Sequence, residues 1–162
     1  MIADVAVRFA TPADAGAIAR MSRDEIEHGL PWRWTPQRVA HSIGDPDTNV
    51  VVVDGRDGMA AFGIMFHADD DAHLLLLAVH HAAHRSGIGS AVLLWLENAA
   101  RAAGARRIRV EARRDNDAAR NFYGAHGYHE RSIRPGMYSG MLAGIRMEKW
   151  LRADDLGILA KP

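Results

Sequence analysis

The sequence predicts an α/β fold of the α+β kind, with a mixed, mostly antiparallel sheet of about seven strands flanked by about four helices. Three observations carry that expectation. Strand-like and helix-like apolar patterns follow one another in the order β-α-α-β-β-β-α-β-α-β-β. The early strands are joined by short turns and pair as hairpins, whereas the later ones are separated by helical crossovers, so the sheet is mixed. The length of 162 residues, with 48% apolar and 25% charged, suits one globular domain.

Each element has a local cause. Val5 to Phe9 reads as a short strand. Thr11-Pro12-Ala13-Asp14 is a capping box with proline at the first helical position, and Ile18, Met21 and Ile26 fall on one face of the helix that follows. Gly29 is its expected stop. A connector leads to Thr35-Pro36, which opens a second helix ending near Gly44. Asn49 to Val53 and Met59 to His67 are strands joined by DGRDG, a turn rich in residues that tolerate positive φ. Asp69 to Asp71 makes a solvated turn, and Ala72 to His80, with its run of four leucines, is a central strand. Ile88, Val92, Trp95, Ala99 and Ala102 lie at helical spacing, and Gly104 ends that helix. Arg107 to Arg113 is a strand, Asn116 to Ala125 a short helix, and Tyr128 to Ile133 and Ile145 to Leu151 the closing strands. No repeat or linker divides the chain, so 1–162 is expected to be one domain with a frayed tail at 153–162.

Composition excludes several classes of function. Twenty basic residues balance twenty acidic ones, so no global field favours nucleic acid or an anionic membrane, and neither is expected as a partner. No apolar run approaches the about 18 residues of a membrane span. The first residues lack the basic start and apolar core of a signal peptide, so a cytoplasmic location is expected. The absence of cysteine excludes disulfides, thiolate nucleophiles and cysteine-based zinc sites. His67, Asp69, Asp70, Asp71, His73, His80, His81 and His84 are close in sequence, but His80 and His81 on a strand would point to opposite faces. No metal is expected.

The segment AHRSGIGSAVLLWLENAAR, residues 83–101, places Gly87 and Gly89 where a strand gives way to a helix. A helix N-terminus has unpaired N–H groups and a partial positive charge that attract phosphate. Glycines there remove the side chains that would keep a phosphate away, and Arg85 and Ser86 could add a guanidinium and a hydroxyl. The plainer reading is a tight strand-to-helix turn. Fuller nucleotide motifs are missing, since GxGxxG would need glycine where Val92 stands and no GxxxxGK[ST] occurs.

A second segment, VEARRDNDAARNFYGAHGY at 110–128, joins the first in carrying a resemblance. His84-Arg85-Ser86-Gly87-Ile88-Gly89 is similar to the acyl-CoA loop R/Q-x-x-G-x-G/A of the GNAT superfamily of acyl-CoA-dependent N-acyltransferases. Asn116, Ala119, Tyr123, Gly127 and Tyr128 resemble that family's N-x-x-A-x-x-x-Y-x-x-x-G-F, and IRMEKWL resembles its last strand. The resemblance covers nearly the whole chain. It implies a splayed central strand pair, with a pantetheine arm against Leu77-Ala78-Val79 and a pyrophosphate on the loop from Arg85 to Ser90. It also implies a contact from Asn116 to the CoA arm and a place for Tyr123 near the thioester sulfur. His84 departs from the pattern, standing where arginine or glutamine is usual, and Arg85 is expected to compensate in part for the lost contact.

Acetyl transfer from acetyl-CoA to an amine needs a neutral amine, a stabilised oxyanion and a stabilised leaving thiolate, and no covalent intermediate. Glu111 is the candidate base, because its spacing from Tyr123 resembles the Glu and Tyr of the ribosomal-protein alanine N-acetyltransferases. A surface ion pair with Arg109, Arg113 or Arg114 is the plainer role for Glu111, and a core aromatic for Tyr123. His80 or His81 is an alternative base or relay. Tyr123 is the candidate acid. Glu27, His28, Trp32, Trp34, Met137 and Tyr138 are candidates for the acceptor side, with core packing or a homodimer contact as the other reading of the tryptophans. The acceptor is expected to be a small-molecule or peptide amine, and the want of a visible acidic groove weighs against a strongly basic one. The alternative function is a non-catalytic acyl-CoA-binding sensor.

Overall fold

The computed structural model describes residues 5–138 and 142–151, with backbone alone at 132–138 and 142–143. The expected tail at 153–162 lies outside the described residues. Seven strands, β1 (Arg8–Phe9), β2 (Thr48–Gly55), β3 (Gly58–Ala68), β4 (Asp71–Val79), β5 (Arg107–Arg113), β6 (His129–Tyr138) and β7 (Leu142–Trp150), form one sheet in the order β1-β2-β3-β4-β5-β7-β6. The helices are α1 (Ala15–Glu25), α2 (Pro36–Gly44), α3 (Ile88–Ala102) and α4 (Asp117–Ala125). The sheet is mostly antiparallel, with β4 and β5 parallel. Among the described residues no helix is long and apolar enough to cross a membrane.

The chain divides into two compact units. The first comprises Met1–Phe66 and Leu75–Ala99. Its strand β1 has two residues, paired Arg8↔Val52 and Phe9↔Val51, and is shorter than the apolar run suggested. Arg8 anchors it: its guanidinium donates to Asp14 at 2.9 and 3.0 Å and to Asp54 at 2.8 and 3.0 Å. The Asp14 carboxylate also accepts the Thr11 N–H at 2.7 Å, which sets a 3₁₀ turn at Pro12–Asp14 ahead of α1. Helix α1 stops at Glu25, short of Gly29, because Glu27 folds the chain back and its N–H reaches the Ser22 carbonyl at 2.8 Å. Thr35 caps α2 through the Arg38 N–H at 3.3 Å. Ile18, Ala19, Val39, Val50, Val52, Phe62, Ile64, Leu76 and Ala78 share one apolar core.

Gly63 on β3 explains how α3 lies so near the sheet. A Cβ built there would stand 2.7 Å from Leu96 Cδ1 and 3.0 Å from Val92 Cγ1. Any side chain would displace the helix or its leucine.

The second unit comprises His67–Leu74 and Ala100–Pro162. The parallel ladder pairs Asp71–Leu74 with Arg107–Val110. Strand β7 pairs antiparallel with β5 from Arg107↔Trp150 to Arg113↔Gly144, and with β6 on its other side. Along β5 the residues alternate: Ile108, Val110 and Ala112 are buried, while Arg107, Arg109, Glu111 and Arg113 are half-buried on the opposite face. Strands β6 and β7 extend beyond the expected 128–133 and 145–151. The β6–β7 pairing resumes at Tyr138↔Leu142 after Arg134↔Gly144, with a register irregularity at the Pro- and Gly-containing stretch between them.

Candidate active site

The loop before α3 has an unusual backbone. Arg85 and Gly87 both have positive φ, at 64° and 85°, so the chain turns twice between β4 and α3. The Ala91 N–H donates to the Gly87 carbonyl at 3.1 Å, and the amides from Ile88 to Ser90 precede the helical ladder. Four features suit an anionic group: exposed Arg85, amides without helical partners, a helix dipole and a short glycine-bearing approach. Gly89 lies in the first turn of α3 and places no side chain beside those amides. The Ser86 hydroxyl is engaged locally, donating to the Ala83 carbonyl at 2.5 Å.

His84 turns back toward the strand. Its Nε2 lies 2.8 Å from the Val79 carbonyl oxygen, and because a carbonyl only accepts, Nε2 carries the proton. Leu77 and Val79 are half-buried and Ala78 is buried, the alternation of a strand with one face on the core.

Asn116 caps α4, its side-chain oxygen accepting the Ala119 N–H at 3.0 Å. Tyr123 is buried on that helix, edge-on to Phe122 at 5.2 Å and to Tyr128 at 5.6 Å. Glu111 lies opposite Arg146 in the β5–β7 register, with Arg146 Nη2 3.7 Å from its carboxylate. That partner comes from β7 and was not among the three arginines that proximity in sequence suggested. Glu111 also acts on His73 of the same unit: burial pushes the His73 pKa down, and the negative charge of Glu111 opposes that shift.

The expected acceptor-side residues are placed differently from one another. Glu27 is buried, and its carboxylate accepts from Ser22 Oγ at 2.7 Å and from the N–H groups of Arg33 and Trp34 at 2.7 and 3.3 Å. It holds the α1–α2 connector together. Trp34 is buried in the core of its unit under Arg38, whose guanidinium carbon is 3.9 Å from the ring centroid. Trp32 is more exposed and donates from Nε1 to the Ala19 carbonyl at 3.2 Å. His28 is exposed. Tyr138 and Met137 lie on β6, and their side chains are outside the described residues.

One expectation is corrected. His80 and His81 do not point to opposite faces, because β4 ends at Val79 and His80 caps a 3₁₀ turn at His81–Ala83. Their rings stack with centroids 4.2 Å apart. His81 Nδ1 lies 2.9 Å from Glu25 Oε2, which also accepts the His81 N–H at 3.3 Å. Donor atoms of Glu25, His80 and His81 all fall within 4.8 Å of one another. The His80 Nδ1 lone pair, however, already accepts the Ala82 N–H at 3.1 Å, so Nε2 bears the proton of the neutral ring and is a poor metal ligand. Sequence reasoning missed Glu25, 56 positions from His81, and no local pattern marks it.

Residues 19–128 match the model of the acetyltransferase (GNAT) family, and the chain belongs to that family. It is an acyltransferase, and enzymes of this family use acetyl-CoA as the acetyl donor. The structure of Ard1 from Thermoplasma volcanium is similar, with a TM-score of 0.80 at 22% identity over 91% of this chain and 97% of that one. The ribosomal-protein-S18-alanine N-acetyltransferase from Escherichia coli has a TM-score of 0.77 at 24% identity, covering 93% and 97%. The PaiA N-acetyltransferase from Thermoplasma acidophilum, solved in complex with coenzyme A, has a TM-score of 0.78 at 16% identity, covering 91% and 99%. These likenesses concern the fold. No curated protein matches the sequence significantly.

Proposed function

We propose that the protein transfers an acetyl group from acetyl-CoA to a primary amine by direct attack, without an acyl-enzyme. The observation that carries this reading is the double turn at Arg85 and Gly87, which leads the amides of Ile88 to Ser90 into an open approach. In this reading Arg85 and those amides hold the pyrophosphate of the donor. The backbone of Leu77 to Val79 takes the pantetheine arm, and the His84 ring leaves the Val79 carbonyl when the arm arrives. Asn116 keeps its two amide N–H donors for the donor arm while its oxygen caps α4. Tyr123 donates a proton or a hydrogen bond to the departing sulfur. A phenol of pKa about 10 remains protonated at neutral pH, and a thiol of about 8.5 makes full transfer only modestly uphill.

Glu111 is the proton acceptor suggested by its spacing from Tyr123. Its carboxylate stands beside Arg146, whereas the end of β4 carries a second proton acceptor, His81, already oriented by a carboxylate.

Release of CoA thiol from acetyl-CoA against a panel of amines tests the reading. Tyr123→Phe is expected to lower kcat by about 10²–10⁴-fold with near-normal acetyl-CoA affinity, because only the hydroxyl is lost. Thermal stabilisation by acetyl-CoA without turnover on any amine would favour a sensor, and wild-type rates in Tyr123→Phe would remove that residue from the chemistry.

A further inference from the structure

An open cavity of about 540 Å³ lies within the first unit, in the size range of small-molecule sites. Its polar lining comes from three separate segments: Arg20, Asp24 and Glu25 on α1, Asp57 in the β2–β3 turn, and His80 and His81 after β4. Three carboxylates thus line the cavity beside one guanidinium, Arg20, and one of the three, Asp24, is paired with Arg23 at 3.0 Å. The sequence shows no acidic groove because the three segments that build it lie far apart along the chain. Met21 and Met59 add apolar wall.

Glu25 sits in the last turn of α1, where the negative end of the helix dipole disfavours a carboxylate. It is nevertheless three-quarters or more buried, with 17% of its side chain exposed, while its partner His81 is 73% exposed. A local rule broken at a cavity wall, with the cost offset by a histidine and a backbone N–H, is the mark of a functional group. The carboxylate can only accept, so it fixes the proton of neutral His81 on Nδ1 and leaves the Nε2 lone pair as the basic site.

We propose that this cavity receives a small aliphatic amine carrying a second cationic centre, and that His81, held by Glu25 as a positioning residue, takes the proton from its reacting nitrogen. The inference rests on acetyl-CoA being the donor. The reacting ammonium gives one proton to His81 Nε2, and the Glu25 carboxylate stabilises the imidazolium. The freed nitrogen lone pair bonds to the thioester carbonyl carbon and the C–S bond breaks. The proton lost as the amide forms balances the one taken by the departing thiolate, and His81 returns its own to solvent. Asp57 holds the second cation, which stays charged throughout, and Arg20 disfavours an acidic acceptor.

The test uses the full-length enzyme with acetyl-CoA and either a short alkyl diamine or a peptide with a neutral N-terminal side chain. The diamine is expected to show the higher kcat/KM, and Asp57→Asn to raise its KM several-fold with kcat kept. His81→Ala is expected to fold normally, since the ring is largely exposed. It should lower kcat about 10²–10⁴-fold without loss of acetyl-CoA stabilisation, and added imidazole should restore part of the rate. Glu25→Gln should lower kcat less, because the ring keeps its lone pair but loses its orienting charge. Wild-type kcat in His81→Ala, a loss that imidazole does not relieve, or a peptide preferred over the diamine would overturn the inference while leaving acetyl transfer intact. Failure of acetyl-CoA to stabilise the wild-type protein would instead strike the donor reading itself.

Discussion

Glu27 shows how a single residue separates a binding role from a structural one. Its carboxylate collects three donors, from Ser22, Arg33 and Trp34, in a buried connector. Removing it strands those donors, and each buried unsatisfied group costs about 1–3 kcal/mol. Glu27→Ala is therefore expected to lower the melting temperature by many degrees. Glu27→Gln retains an oxygen for the two backbone N–H groups, and its amide can donate to Ser22, so it should melt near the wild type. A Glu27→Gln variant of normal stability that loses acceptor kcat/KM would show that the charge, rather than the clasp, matters. Trp34 is read in the same way: its place in the core predicts that Trp34→Ala loses about 3–5 kcal/mol of stability in denaturant titration, ahead of any change in acceptor KM.

At the scale of elements, two glycines set α3. Gly63 lets the helix approach β3, and a methyl group there meets Leu96 and Val92. Gly63→Ala is expected to cost about 1–3 kcal/mol by overpacking, measurable as a shift in the denaturation midpoint with an unchanged slope. Gly89 lies at the other end of the same logic, in the first turn and outside the core. Gly89→Val should leave the stability of the free protein nearly unchanged and abolish its stabilisation by CoA. Retained CoA stabilisation in that variant would displace the phosphate from this loop. Gly87 is a poorer probe, since its φ of 85° strains any replacement whether or not CoA binds.

Across the whole molecule, acid acts on the two units in different pH windows. In the second unit, burial holds the His73 pKa below its ordinary 6.5. The unfolded chain then takes a proton that the folded chain refuses, so stability falls as pH drops through 6.5 toward the folded value. In the first unit, the hydrogen bonds from Arg8 push the Asp14 carboxyl down from 3.8 to about 2. Its contribution is present above 3.8 and is lost as pH falls through the folded value, near 2. Denaturant titrations from pH 7.5 to 5 should therefore show a decline that His73→Gln flattens. Asp14→Asn should flatten only the acid limb below 4. A decline from 7.5 to 5 that is the same in both proteins would place the proton uptake elsewhere.

What the sequence by itself determined is local in cause. Strand β5, the capped helices α2 and α4, the hairpin of β2 and β3 and the glycine turn before α3 all follow from signals a few residues long, and the structure places them within a few positions of the expected ends. The family followed from motifs of the same short range. What only the tertiary structure decided is which distant residues meet. Glu27 reads as an acceptor-side candidate until the connector closes over it, and Trp34 as either an acceptor-side or a core aromatic until the fold places it in the core. His80 and His81 diverge on a strand, yet stack once β4 ends at Val79. Glu25 reaches His81 across 56 positions, and Arg146 reaches Glu111 across a strand pairing. Secondary structure responds to neighbours three or four residues away, whereas proton acceptors, ion pairs and cavities are made by contacts that only the folded chain brings together.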